Sequence, residues 1–283
     1  MKTVKIVGVP EHFNFPWLMA IEEGAFKTRG IDLVWTDIPE GTGKMSEMLE
    51  NGQAELAIIL TEGIVKSIIE GNPVKIVQEY IATPLHWGIH VAANSTYQNV
   101  KDLKNTTVAI SRYGSGSHLM SFVNAQNQGW ETSSLKFEII HTLDGAIEAL
   151  KSGTADYFMW EHFTTKPVVD AGIFRRLEDC PTPWPCFVIA ATESFLIKNK
   201  ELLRHILEII NLYTTEFKLI PSIDRTLSNK YGQQLEDVRE WLRITQWSQS
   251  QLSAEAIENV QDYLYKLDLI SHKLDVDKLI TNL

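Results

Sequence analysis

The chain has 283 residues, 44% of them hydrophobic and 22% charged, which is ordinary globular composition with apolar material for a core in each of two halves. A net charge of −10 argues against a broad basic face for nucleic acid but permits a local anion site. Two cysteines exclude a disulfide framework and a four-cysteine zinc site, and no stretch reaches the ~20 apolar residues of a membrane span.

Val4-Lys5-Ile6-Val7-Gly8-Val9 predicts a strand over 4–9 with no basic, apolar leader before it. The sequence as it stands therefore predicts a cytoplasmic protein, or a periplasmic or cell-surface one if a leader has been removed. The turn Glu11-His12-Phe13-Asn14-Phe15-Pro16-Trp17 opens a helix over 16–29, and a second strand spans 31–36. A second helix begins near Gly43 with Met45, Met48 and Leu49 at helical spacing, and stops at Gly52, where a left-handed cap favours glycine. A third strand, 55–60, runs into Leu60-Thr61-Glu62-Gly63. After an extended stretch over 81–93 the series returns as strand 106–111, helix 117–128, strand 135–140, a helix from near Gly145 to Gly153, and strand 156–160 ending in Met159-Trp160-Glu161-His162.

The two series share one offset. Val7-Gly8-Val9 matches Val108-Ala109-Ile110, Leu18-Met19 matches Leu119-Met120, Leu49 and Gly52 match Leu150 and Gly153, and Ala54-Glu55 matches Ala155-Asp156. Strands alternating with helices at this spacing predict parallel βαβ units and an α/β fold. A second extended stretch, 186–192, leads into a helical tail. There Glu201–Phe217 forms one helix, Pro221 suits the first turn of the next, and Ser253 caps a helix carrying Ile257, Val260, Leu264 and Leu267. The expected organisation is lobe 1 over 1–83 plus 190–283, lobe 2 over 88–185, and hinge segments near 84–92 and 186–192. The segment Cys180-Pro-Thr-Pro-Trp-Pro-Cys186 reads either as a small disulfide loop or as two free thiols in a Pro-rich crossing, and its three prolines favour the thiols.

Open α/β sheets take ligands at the C-terminal ends of their parallel strands. Ser111-Arg112-Tyr113-Gly114-Ser115-Gly116-Ser117-His118 lies at such an end and opens a helix. Its glycines allow close approach, the first-turn N–H groups favour an anion, Ser115 and Ser117 add hydroxyls, and Arg112 adds a fixed charge. The alternative is an ordinary capped turn with a solvated Arg112. In the first half, Asn14 and Phe15 are the matching candidates, while Trp17 reads as core. Thr61, Glu62, Trp160, Glu161 and His162 end the third strands. Trp160 and Trp184 suit a flat ligand, and the two carboxylates suit its amino groups or, more plainly, the positive ends of helices.

His86 and His90 share one face of an extended stretch, and His12, His118 and His162 fall on candidate loops. Without a spacing such as His-Glu-x-x-His they predict no metal site, and His86 and His118 are taken as hydrogen-bonding candidates. No Gly-x-Ser-x-Gly elbow, Walker loop or dinucleotide fingerprint occurs, so no catalytic residue and no cofactor are expected.

Gly24-Ala-Phe-Lys-Thr-Arg-Gly30-Ile-Asp-Leu, Leu49-Glu-Asn-Gly52-Gln-Ala-Glu55, Val108-Ala-Ile110 with Gly114-Ser-Gly-Ser-His118, and Gly153-Thr-Ala-Asp156-Tyr-Phe-Met-Trp160-Glu161, in that order, resemble the solute-binding proteins of nitrate, sulfonate and taurine importers. The same superfamily holds thiamine-pyrimidine-precursor binding proteins and synthases. The resemblance covers about residues 3–192. It implies a type II periplasmic-binding-protein-like fold, two α/β lobes closing on a ligand, and contacts from Gly114–His118 and Trp160–Glu161. It also implies an importer permease as partner, and a monomer. Glu55 departs from the usual aspartate, and His162 stands where proline is common. The expected function is binding of a small anionic or heteroaromatic solute without chemistry. The alternatives are a cytosolic enzyme on the same fold, with Lys66 or a histidine in a chemical role, and a cytosolic ligand sensor.

Overall fold

The computed structural model describes residues 1–283, which divide into two units, Met1–Thr83 with Pro183–Leu283, and Pro84–Thr182. The first unit begins with β1 (Lys2–Gly8), α1 (Phe15–Glu22), α2 (Ala25–Thr28), β2 (Ile31–Asp37), α3 (Thr42–Glu50), β3 (Leu56–Leu60), α4 (Thr61–Ile69) and β4 (Val74–Ile81). The second comprises β5 (His86–Ala92), β6 (Thr107–Ile110), α5 (Gly116–Asn127), β7 (Lys136–Ile139), α6 (Leu143–Ser152), β8 (Tyr157–Glu161), α7 (His162–Asp170) and β9 (Phe174–Pro181). The chain then completes the first unit with β10 (Phe187–Thr192), α8 (Glu193–Glu216), α9 (Ile223–Tyr231), α10 (Leu235–Ile244), α11 (Ala254–Lys266) and α12 (Val276–Leu279).

Both sheets follow one plan. Unit 1 has the order β2-β1-β3-β10-β4, with β1 parallel to β2 and β3, and β10 antiparallel between β3 and β4. Unit 2 has the order β7-β6-β8-β5-β9, with β6 parallel to its neighbours and β5 antiparallel between β8 and β9. Segments 84–92 and 186–192, expected as hinges, are therefore occupied by β5 and β10, each an inner strand of one sheet. Every residue of β10 is buried, as a strand covered on both faces requires.

The duplication is present in the pairing, with one correction. Ile6 pairs with Leu56, and Val108 with Tyr157, so the counterpart of Val108 is Ile6, one residue earlier than the sequence match to Val7. A one-residue slip turns every side chain to the other face, and the run Ile6-Val7-Gly8-Val9 is apolar enough to hide it. The third strands keep the expected offset, and one device is repeated there. Glu55 accepts the Lys5 N–H at 2.7 Å and Asp156 accepts the Thr107 N–H at 2.8 Å, each carboxylate tying β3 or β8 to the strand beside it. The glutamate thus does the work of the aspartate from a longer stem.

The helix expected over 16–29 is broken at Gly24 (φ +74°) into α1 and α2. The helix expected from Glu201 begins earlier, at Glu193, with a kink at Asn199. Pro221 does not occupy the first turn of α9, because Ser222 (φ +61°) stands between it and Ile223. Ser253 caps α11, its hydroxyl accepting the Ala256 N–H at 3.1 Å. Cys180 and Cys186 form no disulfide.

Gly145 shows how closely α6 enters its unit: a Cβ there would stand 2.0 Å from the backbone oxygen of Ile140. Backbone cannot swing away as a side chain can. Gly145→Ala is expected to destabilise unit 2 by about 3 kcal/mol in urea unfolding, and a loss below about 1 kcal/mol would show that α6 can shift freely.

Candidate functional site

In unit 1 the loop after β1 is anchored from below. Asn14 is buried and donates its Nδ2 to the Val9 carbonyl at 2.8 Å, leaving Oδ1 buried and without a partner. The Phe13 carbonyl accepts the Tyr80 hydroxyl at 2.8 Å. Phe15 does not line an open loop: its ring is buried edge-on to Phe217 and Tyr231, with the Lys230 ammonium 5.5 Å from its centre. At the end of β3 the Thr61 hydroxyl is committed to the Pro185 carbonyl at 2.5 Å. Glu62 is buried, and its Oε2 accepts the indole N–H of Trp184 at 2.8 Å. Burial raises the Glu62 carboxyl to about 7, against its own backbone N–H and Trp184, which lower it. Trp184 is itself buried, edge-on to Tyr263 at 5.5 Å, so it serves Glu62 and α11 rather than standing open as a stacking face.

In unit 2 the turn before α5 is a closed network. Ser115 is the N-cap, its Oγ accepting the His118 N–H at 3.3 Å, and Ser117 Oγ accepts the Ser111 N–H at 3.0 Å. His118 Nδ1 accepts the Gly114 N–H at 3.1 Å, which puts its ring proton on Nε2. Its ring sits among Tyr113, Phe122 and Phe137, and burial lowers its pKa. Arg112 is exposed, as the solvated alternative expects. The first-turn amides of Gly116 and Ser117 have no intrahelical acceptor.

Against that turn lies a residue the sequence reading passed over. Trp87, the second residue of β5, stands opposite Glu161, so it reaches the same end of the sheet as the C-termini of β6 and β8. A Cβ on Gly116 would stand 2.6 Å from its Cη2 and 2.9 Å from its Cζ2, the ring edge next to Nε1. That Nε1 is buried with no acceptor. Trp160 packs edge-on to Trp87 at 6.3 Å.

The end of β8 continues into a charged cluster. Glu161 caps α7, its Oε2 accepting the Thr164 N–H at 2.6 Å and hydroxyl at 2.8 Å, and burial raises its pKa. His162 Nδ1 meets Asp179 Oδ2 at 2.8 Å, and Arg176 donates to its Nε2. Since arginine can only donate, the ring proton lies on Nδ1 and both nitrogens are engaged. Burial raises the Asp179 carboxyl, but the His162 hydrogen bond and the nearby Arg176 leave it lowered overall. His86 begins β5 opposite Pro181, on the strand beside β9. No group of three or more His, Cys, Asp and Glu residues is arranged to hold a metal ion.

The fold has solved counterparts. The product of the Candida albicans CA3427 gene, described as defining a new family with the generic periplasmic binding protein fold, aligns with a TM-score of 0.88 at 23% identity over 99% of this chain and 96% of its own. The Xanthomonas axonopodis pv. citri alkanesulfonate-binding protein SsuA, solved with MOPS, gives 0.83 at 15% over 100% and 99%. The Escherichia coli periplasmic aliphatic sulphonate binding protein SsuA gives 0.78 at 18% over 100% and 94%. The chain has a type II periplasmic-binding-protein-like fold. The Ca3427-like family of such proteins matches residues 87–180, which lie within unit 2. No curated protein matches the chain.

On this binding-protein fold, unit 1 brings Asn14, Thr61 and Glu62 to strand ends. Unit 2 brings Ser115, Gly116, Ser117, His118, Trp160, Glu161 and His162 to the ends of its own strands. Trp87, Arg176 and Asp179 join the second group unforeseen. For Trp87 the usable signal is chain direction: an antiparallel strand starts where its parallel neighbours end.

Proposed function

We propose that the chain is a small-molecule binding protein whose two units close on one anionic or heteroaromatic solute and perform no chemistry on it. The observation that carries this reading is the first turn of α5, where two amides without helical acceptors lie beside the ring of Trp87, whose buried N–H has no partner and which packs on Trp160. Amides and an indole N–H suit acceptor oxygens, and the two indoles suit a flat body. The sulfonate-binding counterparts support an anion among the ligands. Absence of chemistry is supported by His162, the histidine placed against a carboxylate, because Arg176 occupies the nitrogen a general base would use. The finer reading is the substrate-binding component of an importer, with its permease as partner, on the strength of the sequence resemblance.

A thermal-shift panel of MOPS, taurine, benzoate, nicotinate and 4-aminopyrimidine tests the ligand class. A true ligand at 100 times its dissociation constant stabilises by about 2.7 kcal/mol. Neutral sugars shifting the melting point while every anion leaves it unchanged would overturn the anion site. Closure is checked by X-ray scattering: the radius of gyration is expected to fall at ligand saturation, and an unchanged radius would refute it.

A further inference from the structure

Glu62 presents a half-used carboxylate. It opens α4 at the C-terminal end of a parallel strand and is 4% exposed. Its Oε2 is held by Trp184, while Oε1 is buried and has no partner. No lysine, arginine or histidine pairs with it, and the cation one turn along, Lys66, is paired with Glu70. The clamp is rigid. Trp184 leans on Tyr263, and the Pro183 carbonyl beside it accepts Asn259 Nδ2 at 2.6 Å. Thr61 cannot fill the gap, since its hydroxyl is turned to Pro185 and Cys186. A buried acceptor left open costs about 1–3 kcal/mol, and native folds keep few of them.

We propose that Glu62 Oε1 is the acceptor for an N–H-bearing group of the ligand, an ammonium or a ring amino group, carried in addition to its anionic or heteroaromatic part. This rests on the solute-binding reading and names the second functional group of that solute. A carboxylate oriented by one donor and open on its other oxygen fits such a group, because a charge-assisted hydrogen bond there satisfies the last unpaired atom. Burial, which holds the free carboxyl near 7, means that a cationic donor displaces a proton when it binds. The groups that face the carboxyl are Trp184 and its own backbone N–H; no ionised side chain contributes.

The test uses calorimetry on the full chain with probes matched except for the amino group, taurine against ethanesulfonate and 4-aminopyrimidine against pyrimidine. In at least one pair the amino member is expected to bind wild type about tenfold more tightly, and Glu62→Gln to remove that preference while leaving the partner probe within about twofold. Wild-type affinity for the amino probe is expected to fall toward about tenfold per pH unit below 7, and the Glu62→Gln profile to be flat. Should Glu62→Gln fail to fold, Trp184→Phe leaves the carboxylate in place without its clamp, and is expected to weaken the preference several-fold. Binding without amino preference, or a preference untouched by either variant, overturns the proposal alone. Binding by no probe overturns the solute-binding reading with it.

Discussion

Lowering the pH from 6.5 to 4 is expected to destabilise both units, with one buried histidine in each contributing up to about 3 kcal/mol. His12 in unit 1 is 2% exposed, packed against Phe13 and Trp241, and burial depresses its pKa to about 3. His90 in unit 2 is fully buried, its Nε2 engaged by the Thr165 hydroxyl at 2.9 Å, and burial followed by the charge of Arg176 depresses it to about 4. In the unfolded chain both take up a proton near 6.5, whereas in the fold they do not. The unfolded state therefore binds more protons below 6.5, and the stability present above that pH is lost progressively as pH falls through the folded values. Glu62 has the opposite sign: its raised pKa contributes stability below about 4.5 that is lost as pH rises through 7, so in unit 1 it offsets most of the His12 loss, and the raised Glu161 carboxyl acts in the same sense in unit 2. Urea unfolding at stepped pH should show the remaining acid loss, with His90→Gln flattening the part that belongs to unit 2 and Glu62→Gln steepening the part that belongs to unit 1. A flat profile for wild type between 6.5 and 4 would contradict the buried neutral state of both rings.

Trp17→Ala is expected to cost about 4 kcal/mol, confined to unit 1. Trp17 has no exposed surface, lies parallel to Phe26 at 6.0 Å, and meets Trp35 and Tyr80 at 6.4 and 6.3 Å. Removing it leaves a large void among rings that cannot collapse inward without breaking α1 and α2. Tyr80 also holds the Phe13 carbonyl, so the loop carrying Asn14 should loosen with it. Trp17→Phe is expected to cost less, because the indole N–H that disappears is buried without a partner. Chemical unfolding separates these outcomes, and a loss below about 1 kcal/mol for the alanine variant would mean that the cluster repacks.

The α/β class and the strand ends could be read from the chain because their signals are local: glycine after a helix, apolar spacing, and a series of elements that comes round twice. The inner antiparallel strands could not. Phe187–Thr192 and Trp87–Val91 are short apolar runs without alternation, and such a run is equally a central strand or a linker until its neighbours are known. The same gap explains the site. Ser115 and Gly116 announce themselves by composition. Trp87 depends on β5 running antiparallel beside β8, and the engagement of His162 depends on Arg176 and Asp179 arriving from β9. Glu161 and Trp184, read as ligand contacts, are held first by Thr164 and Glu62, partners that no spacing in the sequence reveals.

Within unit 1, β4 and β10 are hydrogen-bonded neighbours, and the Cys186 N–H closes on the carbonyls of Ile81 and Thr83. Topologically, all of unit 2 is the loop of one hairpin. Its own ends are equally near each other, with the Thr182 N–H on the Leu85 carbonyl at 3.0 Å and His86 opposite Pro181. An insertion with adjoined termini can be lost, exchanged or re-entered without unpicking its host. On the proposed reading, trading this one cassette would replace the contacts of Trp87 and the first turn of α5, while the first unit keeps Glu62 and every strand it has.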